Sequence, residues 1–596
     1  MNKKLISVLL PFIALLPLIA VFTSCGKAPP TTADKVYKNA KVYSVLLDGS
    51  EVHAEAVAIK DDKFVYIGDN NQVNDYIDKS TEVIDCKGNS IIPGLTDAHL
   101  HIATAATKMG SCDLGMIVPD DNDTPDKMVI KIQNELKSFA DSHPNDTVVR
   151  GLGWERTWFQ GSLQGIVRPF VKEDIDAIVS DKPVVLTSRC GHAVMLNSKA
   201  LEIAGINRDT PDQGGLIVKD EKGDPTGYIS EPVAYGPVVH SIPGYEFSKQ
   251  EHHDYMSQAM KMFTGMGYTL ICDAQQNTVA YEVLSEMAAG NELNTRITGV
   301  HNINDATRNE DLQRAIDNRT KFDVGDLFRV DTVKYFADGT YSMNEPYAKT
   351  ATLLGKEPGT KEPLLWDEDH MLESMIAANK AGFNIHTHAM GSHAISKTID
   401  CYIKAQKEHP SETIRNIIAH CTFVSNEDRV RMGQNHIIAS NQPGWFSDHP
   451  VIEPLYVAGW GEDVAKETYP CKSLIDNGVI NAFGSDYAVN IPYGLSGLQV
   501  AMTRKVVHKD DVYDKYKDLI PTRPEECISL KQALQAHTIN GAFQAHLENI
   551  TGSIEIGKSA DLVLLDSDIE STPANQIENI KIMETVFKGK TVYKNS

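Results

Sequence analysis

Two histidines stand at alternate positions in the stretch IIPGLTDAHLHI, which covers residues 91–102. In a β-strand, residues i and i+2 face the same way about 6.6 Å apart, so His99 and His101 can approach one ion. Neutral imidazoles together with a carboxylate are suitable ligands for zinc or a neighbouring first-row metal. A single His-x-His pair is weak evidence, so the prediction of a metal site depends on donors elsewhere in the chain.

Further donors of the same kind lie at or near the ends of four other apolar runs. Lys334 lies in RVDTVKYFADG, His388 in IHTHA, His420 in IIAHC and Asp486 in FGSD. In a parallel barrel the carboxyl ends of the strands meet at one rim, and catalytic groups collect there. The ordered set of donors therefore predicts a metal centre at such a rim.

The elements that must position these donors alternate strand-like runs with helical stretches, a pattern typical of a parallel sheet. Eight runs predict an α/β protein built on a (β/α)8 TIM-like barrel. The residues between the first two runs, 103–250, include a strand candidate at Pro183–Ser188 and predict an inserted subdomain with extra helices. The eight runs cover residues 90–102, 268–274, 295–302, 328–338, 383–389, 415–421, 437–442 and 480–486.

Both ends of the chain show a pattern of short strands and turns. Alternating runs separated by Gly, Asp and Asn occupy residues 36–86, and similar runs return at 560–565 and 585–593. We expect a small composite β-sandwich domain built from residues 35–89 and 546–596. The barrel domain, with its insertion, is expected to cover residues 90–545.

The first residues have the pattern of an export signal. Lys3 and Lys4 precede an apolar stretch at 5–22, and the sequence FTSCG ends it. The small residues before Cys25 resemble a bacterial lipoprotein box, which predicts a signal peptide at 1–24, an acylated Cys25 and a tether at 25–34. An ordinary secretory signal, in which Cys25 has no role, is the alternative. The expected location is the cell envelope, with a lipid-anchored protein on a periplasmic or surface face.

Composition restricts the partners. A net charge of −23 repels nucleic acid and anionic membrane surfaces, so both are excluded as electrostatic partners. The expected partners are a small-molecule substrate, the membrane through the lipid on Cys25, and a second copy of the chain in a homodimer. The nine cysteines contain no Cys-x-x-Cys pair, which excludes a zinc ribbon.

The chain resembles the metal-dependent amidohydrolase superfamily, specifically amidohydrolase family 3, which includes N-substituted formamide deformylases. The resemblance covers nearly all of the mature chain. It rests on IIPGLTDAHLH, GLGWERTW at 151–158, GHAVMLNSKAL at 191–201, GGLIVKDEKGDPTGYISE at 214–231, VKYFADGT at 333–340, HAMGSHA at 388–394, GSDYAV at 484–489 and GSIEIGKSADLVLLD at 552–566.

The resemblance implies roles for the rim donors. Asp486 would be both a metal ligand and the catalytic acid/base. The family often has Asp where this chain has Ser392, so we expect one hydrogen bond of the fifth strand's loop to differ. The histidines implied as metal ligands are His99, His101, His388 and His420.

Lys334 stands where many members of the family carry a lysine carbamate that bridges two metals. The alternation around it places its side chain inside a mostly apolar barrel, where an unpaired cation is costly. Two interpretations remain open. Lys334 is either a carbamate bridging two ions or a lysine in a salt bridge beside one ion.

Other polar residues near the rim are weaker candidates. His386 shares a face with His388 but lies one pleat deeper, and we interpret it as a core or supporting histidine. Asp97 is expected to support the histidine pair rather than to bind metal. Asp338 is a still weaker candidate. Candidate substrate-binding residues are His192, Trp154, Glu155 and Trp445, although aromatic side chains are more often part of a core.

The site and the resemblance together predict a hydrolase for the C–N bond of an amide, formamide or cyclic amide. One or two zinc ions, or another first-row metal, would lower the pKa of bound water from 15.7 towards about 7. Asp486 would carry the proton from water to the leaving nitrogen, and His192 would help to polarise the carbonyl. The alternatives are a deaminase or an ester or lactone hydrolase on the same site, and a non-catalytic surface lipoprotein that binds a ligand.

Overall fold

The structure is a computed structural model. It describes residues 32–595 apart from 121, 160–167, 190, 192, 213–214, 231, 340–363, 448–466, 510–516 and 522. The strands are β1 (Lys35–Lys38), β2 (Lys41–Val45), β3 (Glu51–Ala54), β4 (Ala56–Lys60), β5 (Lys63–Gly68), β6 (Glu82–Asp85), β7 (Ser90–Pro93), β8 (Leu95–Leu100), β9 (Cys112–Asp113), β10 (Val149–Trp154), β11 (Val184–Ser188), β12 (Ala193–Leu196), β13 (Ile217–Lys219), β14 (Pro225–Ser230), β15 (Tyr268–Asp273), β16 (Arg296–Asn302), β17 (Phe328–Phe336), β18 (Asn384–Ala389), β19 (Asn416–His420), β20 (Ile438–Asn441), β21 (Asn481–Phe483), β22 (Leu562–Leu565), β23 (Ile582–Phe587) and β24 (Lys590–Lys594).

The helices of the described residues lie mostly between the barrel strands. They are α1 (Ile102–Met109), α2 (Pro125–Ser142), α3 (Lys172–Asp176), α4 (Ser198–Ile203), α5 (Pro232–His240), α6 (Lys249–Gly265), α7 (Thr278–Ala289), α8 (Arg308–Arg319), α9 (Glu368–Lys380), α10 (Ser392–Glu408), α11 (Asn426–Gln434), α12 (Cys471–Asp476), α13 (Leu495–Thr503), α14 (Leu530–Ala536) and α15 (Ile539–Gln544). None of these helices is long and apolar enough to cross a membrane.

Eight parallel strands form the central sheet, in the order β21-β20-β19-β18-β17-β16-β15-β8. The two outer strands of this order meet through backbone hydrogen bonds, since Asp486 N donates to His99 O at 2.8 Å and His101 N donates to Tyr487 O at 2.6 Å. The eight predicted runs and the barrel are thus confirmed. Sequential parallel strands joined by helices put all carboxyl ends at one rim.

The first predicted run is two strands rather than one. β7 pairs with β2 and β22 outside the barrel, whereas β8 pairs with β15 inside it. Gly94 separates them at a close approach, because a Cβ there would lie 2.1 Å from the Thr269 Oγ1. The chain therefore passes from the sheet of the chain ends into the barrel at Pro93-Gly94.

The insertion after β8 contains more sheet than its sequence pattern suggested. Its strands form one mixed sheet in the order β13-β14-β12-β11-β10-β9, and the predicted strand Pro183–Ser188 appears as β11. The others were missed because β9 and β13 have only two and three residues and β10 contains two glycines. Short, glycine-containing strands have weak local signals.

Both chain ends share one sheet, as the strand patterns predicted. Its order is β24-β23-β22-β7-β2-β3, so strands from the C-terminal end flank strands from the N-terminal end. A second sheet, β5-β4-β1-β6, comes from the N-terminal end alone. The apolar cluster between the sheets contains Tyr37, Phe64, Ile91 and Leu562, all with no exposed surface.

Candidate metal centre

Six residues predicted as donors come together at the carboxyl end of the barrel. His99 lies in β8 with His101 just after it, Lys334 lies in β17 and His388 lies in β18. His420 is the last residue of β19, and Asp486 follows β21 by three residues. All of these side chains are buried except that of His101, which is 13% exposed.

The first group of donors comes from strands β8 and β21. His101 Nε2 lies 3.0 Å from Asp486 Oδ1, and His99 Nε2 lies 3.6 Å from the same oxygen. One ligand atom from each of the three residues lies within 4.8 Å of the others. Two imidazoles and one carboxylate at such distances can share a single divalent ion.

The second group is the imidazole pair of strands β18 and β19. The ring centroids of His388 and His420 are 4.5 Å apart, and the centroids of His420 and His99 are 5.0 Å apart. His420 Nδ1 lies 2.8 Å from Gln442 Oε1, which fixes the ring and leaves Nε2 for another partner. The two groups therefore form one continuous cluster of nitrogen and oxygen donors.

Four histidines of the cluster, His99, His386, His388 and His420, are held neutral. Burial lowers the pKa of His99, His386 and His388 well below the ordinary range, and the charge of Lys334 adds to the effect. Burial likewise lowers the pKa of His420 to about 4. Neutral imidazole is the form that binds a metal, so no proton has to be lost from these rings at neutral pH.

Asp486 is ionised in this setting. Burial alone would raise its pKa, but the hydrogen bond with His101 and the nearby His420 and Lys334 lower it below the ordinary value. A buried carboxylate beside neutral imidazoles is a donor set that suits zinc and other first-row ions. The residues present therefore fit a divalent metal.

Lys334 is the one cation inside this cluster of described residues. It is 1% exposed, and its Nζ lies 5.2 Å from the centroid of the Phe336 ring. Burial lowers its pKa to about 7, against the opposing charges of Asp486 and Asp273. No carboxylate of the described residues forms an ion pair with it.

Three buried carboxylates, those of Asp97, Asp273 and Asp338, accept hydrogen bonds from backbone N–H groups next to the donors. Asp97 Oδ1 accepts from His99 N at 3.2 Å and from Ser485 N at 2.9 Å, and burial raises its pKa to about 7. Asp273 Oδ1 accepts from Ile102 N at 3.0 Å. The geometry gives Asp97 the supporting position that the sequence predicts.

Asp338 anchors the loop that follows His388. Its Oδ2 accepts from Gly391 N at 2.8 Å and its Oδ1 accepts from Met390 N at 3.1 Å. The same Oδ1 lies 3.7 Å from His388 Nε2. A carboxylate therefore holds this loop, although Ser392 stands where the family often has Asp.

His386 is buried beside the donors, a position that agrees with its interpretation as a core or supporting histidine. Its ring meets the His99 ring edge to face, with centroids 5.1 Å apart. Its Nε2 is buried without a hydrogen-bond partner. The alternation His386-Thr387-His388 in the sequence was the signal for this inward position.

The substrate-binding candidates are only partly placed near the rim. Trp154 is 1% exposed, donates from Nε1 to Leu186 O at 2.9 Å and packs in the insertion's core, so it does not line an open pocket. Glu155 forms an ion pair with Arg189 at 3.0 Å. Trp445 packs half-buried against the main core after β20. His192 lies outside the described residues, as does Cys25.

Comparison with known proteins agrees with the fold. The sequence model of the amidohydrolase family matches residues 82–593 of this chain. YtcJ of Bacillus subtilis (strain 168) is 27% identical over 93% of this chain and 98% of its own length. The N-substituted formamide deformylase of Arthrobacter pascens is 22% identical over 94% of this chain and 99% of its own.

A solved structure shows the same fold. It is an uncharacterized metal-dependent hydrolase from Pyrococcus horikoshii OT3, with a TM-score of 0.69 and 20% identity, and the match covers 91% of this chain and 99% of that chain. The match to the family description extends over most of the sequence, and the metal-ligand pattern lies inside it. The chain therefore belongs to the amidohydrolase family, the metal-dependent hydrolases of carbon–nitrogen bonds.

Proposed function

We propose that the protein hydrolyses the C–N bond of an amide, a formamide or a cyclic amide, with Asp486 moving the proton. The observation that carries this proposal is the part-buried contact of His101 Nε2 with Asp486 Oδ1 at 3.0 Å, beside His99. The relative named as an N-substituted formamide deformylase supports the formamide as one substrate class to test first.

The metal would be held by the two groups of donors described above, and zinc is the ion that we propose. A bound divalent ion supplies a Lewis acid that lowers the pKa of water from 15.7 to ≈ 7. The geometry places Asp486 in the first group and the His388–His420 pair in the second, which supports a site for two ions.

We propose Lys334 as a carbamate rather than a lysine in a salt bridge. The salt-bridge interpretation requires a carboxylate beside Nζ, and none of the described residues forms such a pair. With burial lowering its pKa to about 7, part of the Lys334 population carries the neutral amine that reacts with CO2 at neutral pH. The carbamate carries a negative charge, so it would neutralise positive charge in the site.

Proton transfer is assigned to Asp486. Its carboxylate would accept a proton from the attacking water, and the C–N bond would break as the proton passes to the leaving nitrogen. The neutral imidazoles of His99, His388 and His420 would bind and orient without competing for that proton. The products are then a carboxylic acid and an amine, formate and an amine, or, for a cyclic amide, one ring-opened molecule that carries both a carboxylate and an amine.

The central test replaces Asp486 by Asn. Asp486→Asn keeps one oxygen in place, so we expect the metal content to remain while turnover of N-formyl and N-acyl compounds falls by about 10²- to 10⁴-fold. The measurement is a product assay on the zinc-loaded and the chelated enzyme, with elemental analysis of each sample.

Asp311→Asn is a matched control, because Asp311 is a buried carboxylate that accepts from Asn304 N at 2.9 Å far from the donors in sequence. It should keep both metal and activity. Full turnover in Asp486→Asn would contradict the assigned role. Release of ammonia alone would identify a deaminase, and release of an acid without an amine would identify an ester or lactone hydrolase.

A further inference from the structure

Asp273, at the end of β15, has no donor role, yet its carboxylate lies beside a proposed metal ligand. Asp273 Oδ1 accepts from Ile102 N at 3.0 Å, and Ile102 directly follows His101 in the chain. Ile102 is the first residue of α1, so its N–H has no partner within the helix. The carboxylate is 2% exposed and supplies the acceptor that this group needs.

A buried tyrosine holds that carboxylate from the other side. Tyr281 OH donates to Asp273 Oδ2 at 2.9 Å, and Val300 N donates to the same hydroxyl at 2.9 Å. The Tyr281 ring packs edge to face against Phe322 and Phe328, with centroids 5.9 and 5.6 Å away. These hydrogen bonds form a relay that links Val300 in β16, Tyr281 in α7, Asp273 in β15 and the N–H of Ile102 just after β8.

A glycine makes room for the tyrosine. A Cβ at Gly299 would lie 2.6 Å from the Tyr281 Cζ and 2.7 Å from its hydroxyl oxygen. No side chain fits there unless the ring moves. A substitution at Gly299 would therefore displace the Tyr281 ring without changing any polar group of the relay.

His101 depends on its backbone for orientation. Its Nδ1 is buried and has no hydrogen-bond partner among the described residues, whereas metal-binding histidines almost always donate from their second nitrogen. His420 has that support from Gln442, at 2.8 Å. Besides the contact of its Nε2 with Asp486 Oδ1 at 3.0 Å, His101 is fixed by its own N–H, which donates to Tyr487 O at 2.6 Å, and by the next N–H, which Asp273 holds.

We propose that Asp273, held in place by Tyr281, is the positioning residue for the His101 imidazole. This inference rests on the proposed role of His101 as a metal ligand. Asp273 does not itself bind metal; it fixes the peptide that follows the ligand, and the Tyr281 hydroxyl keeps its carboxylate in one orientation.

The test measures metal binding rather than activity alone. The full-length protein is compared with Asp273→Ala, Asp273→Asn, Tyr281→Phe and Gly299→Ala by Zn²⁺ competition with a chelator and by the visible spectrum of the Co²⁺-loaded enzyme. Loss of partners that orient a ligand costs about 10- to 100-fold in metal affinity. We expect that loss in Asp273→Ala, a smaller loss in the other three variants, and a changed Co²⁺ spectrum in all four.

Tyr335→Phe is the matched control. Tyr335 is also fully buried in the barrel wall, and its hydroxyl forms a hydrogen bond with Ser374 Oγ at 2.9 Å instead of a link to the donors. We expect it to lower the melting temperature of the metal-free protein about as much as Tyr281→Phe does, without changing zinc affinity or the spectrum.

Two outcomes separate the inference from the proposed function. Wild-type affinity and an unchanged spectrum in Asp273→Asn, Tyr281→Phe and Gly299→Ala would overturn the inference, even if Asp273→Ala failed to fold. Absence of stoichiometric zinc in the wild-type protein would instead overturn the proposed metal site. Equal losses of affinity in Tyr335→Phe and Tyr281→Phe would also count against a positioning role.

Discussion

Two cations are buried in the wall of the same barrel, and their surroundings differ completely. The Arg296 side chain has no exposed surface; its Nε pairs with Asp326 at 3.1 Å, and its two Nη atoms contact Asp561 and Ser559. Lys334 is 1% exposed and has no such pair among the described residues. Arg296 thus has the carboxylate partners that a buried cation with a structural role requires.

The two positions lie at opposite ends of the strands. Arg296 is the first residue of β16 and reaches the segment that precedes β22, so it joins the amino end of the barrel to the sheet of the chain ends. Lys334 lies towards the carboxyl end of β17, among the donors. Burying a charge is tolerable when it is paired, and an unpaired one is expensive. The absence of such a pair among the described residues supports the proposal that Lys334 is carbamylated.

Replacing Lys334 gives the largest expected effect. Lys334→Met removes the proposed carbamate, and we expect zinc affinity to fall by at least about 100-fold, since even partners that only orient ligands are worth about 10- to 100-fold. Metal-free Lys334→Met should be as stable as the wild type or more stable, because a buried charge without a partner has been removed. Zinc competition and urea unfolding of the metal-free proteins measure the two quantities.

The same experiment distinguishes the two interpretations of Lys334. A carbamate predicts close to two zinc ions per chain in bicarbonate and fewer after CO2 is removed. A lysine in a salt bridge predicts one ion in both conditions. Unchanged zinc affinity in Lys334→Met would contradict a role in the metal site.

Replacing Arg296 should have the reverse effect of replacing Lys334: stability should fall while zinc affinity stays the same. Arg296→Met leaves Asp561, which is 2% exposed, without its buried counter-charge, and breaking a buried pair in this way costs about 3–5 kcal/mol. We expect urea unfolding at lower denaturant concentration, with zinc affinity per folded molecule unchanged. Equal stability of Arg296→Met and Lys334→Met would mean that the difference in pairing has no energetic consequence.

The barrel strands could be predicted because their signal is local. Each strand is a short apolar run between helical stretches, and each donor stands at or near the end of one. The sheet of the insertion could not be predicted, since β9 and β13 have only two and three residues and therefore carry almost no local signal. The split at Gly94 depends on the closeness of Thr269, which lies far away in the sequence.

The donors of the site were also easier to predict than their supports. Asp97 was found because it shares the alternation of His99 and His101. Asp273 and Gln442 also stand at or near the ends of predicted runs, but their roles were missed because each acts on a group outside its own strand. Trp154 was misplaced for the opposite reason: its motif is conspicuous in the sequence, but the side chain packs in the insertion's core.

A third buried group, His301 in β16, adds to the comparison a side chain that stays neutral at neutral pH. His301 is 2% exposed and its Nε2 has no hydrogen-bond partner, and burial, with Arg319 and Arg314 nearby, lowers its pKa to about 4. Below about pH 6.5 the unfolded chain takes up a proton that folded His301 takes up only near pH 4. Stability should therefore fall as the pH drops through that window, by up to about 3 kcal/mol for this residue.

His301→Phe removes this proton uptake and keeps an aromatic ring against Phe383, whose centroid is 6.4 Å away. We expect the metal-free variant to lose less stability than the wild type between pH 7 and pH 4.5, measured by the midpoint of urea unfolding at each pH. His436→Asn changes an exposed histidine and should leave the wild-type pH dependence intact. Parallel pH curves for His301→Phe and the wild type would show that folded His301 accepts its proton as readily as the unfolded chain does, so burial beside two arginines would not be what keeps it neutral.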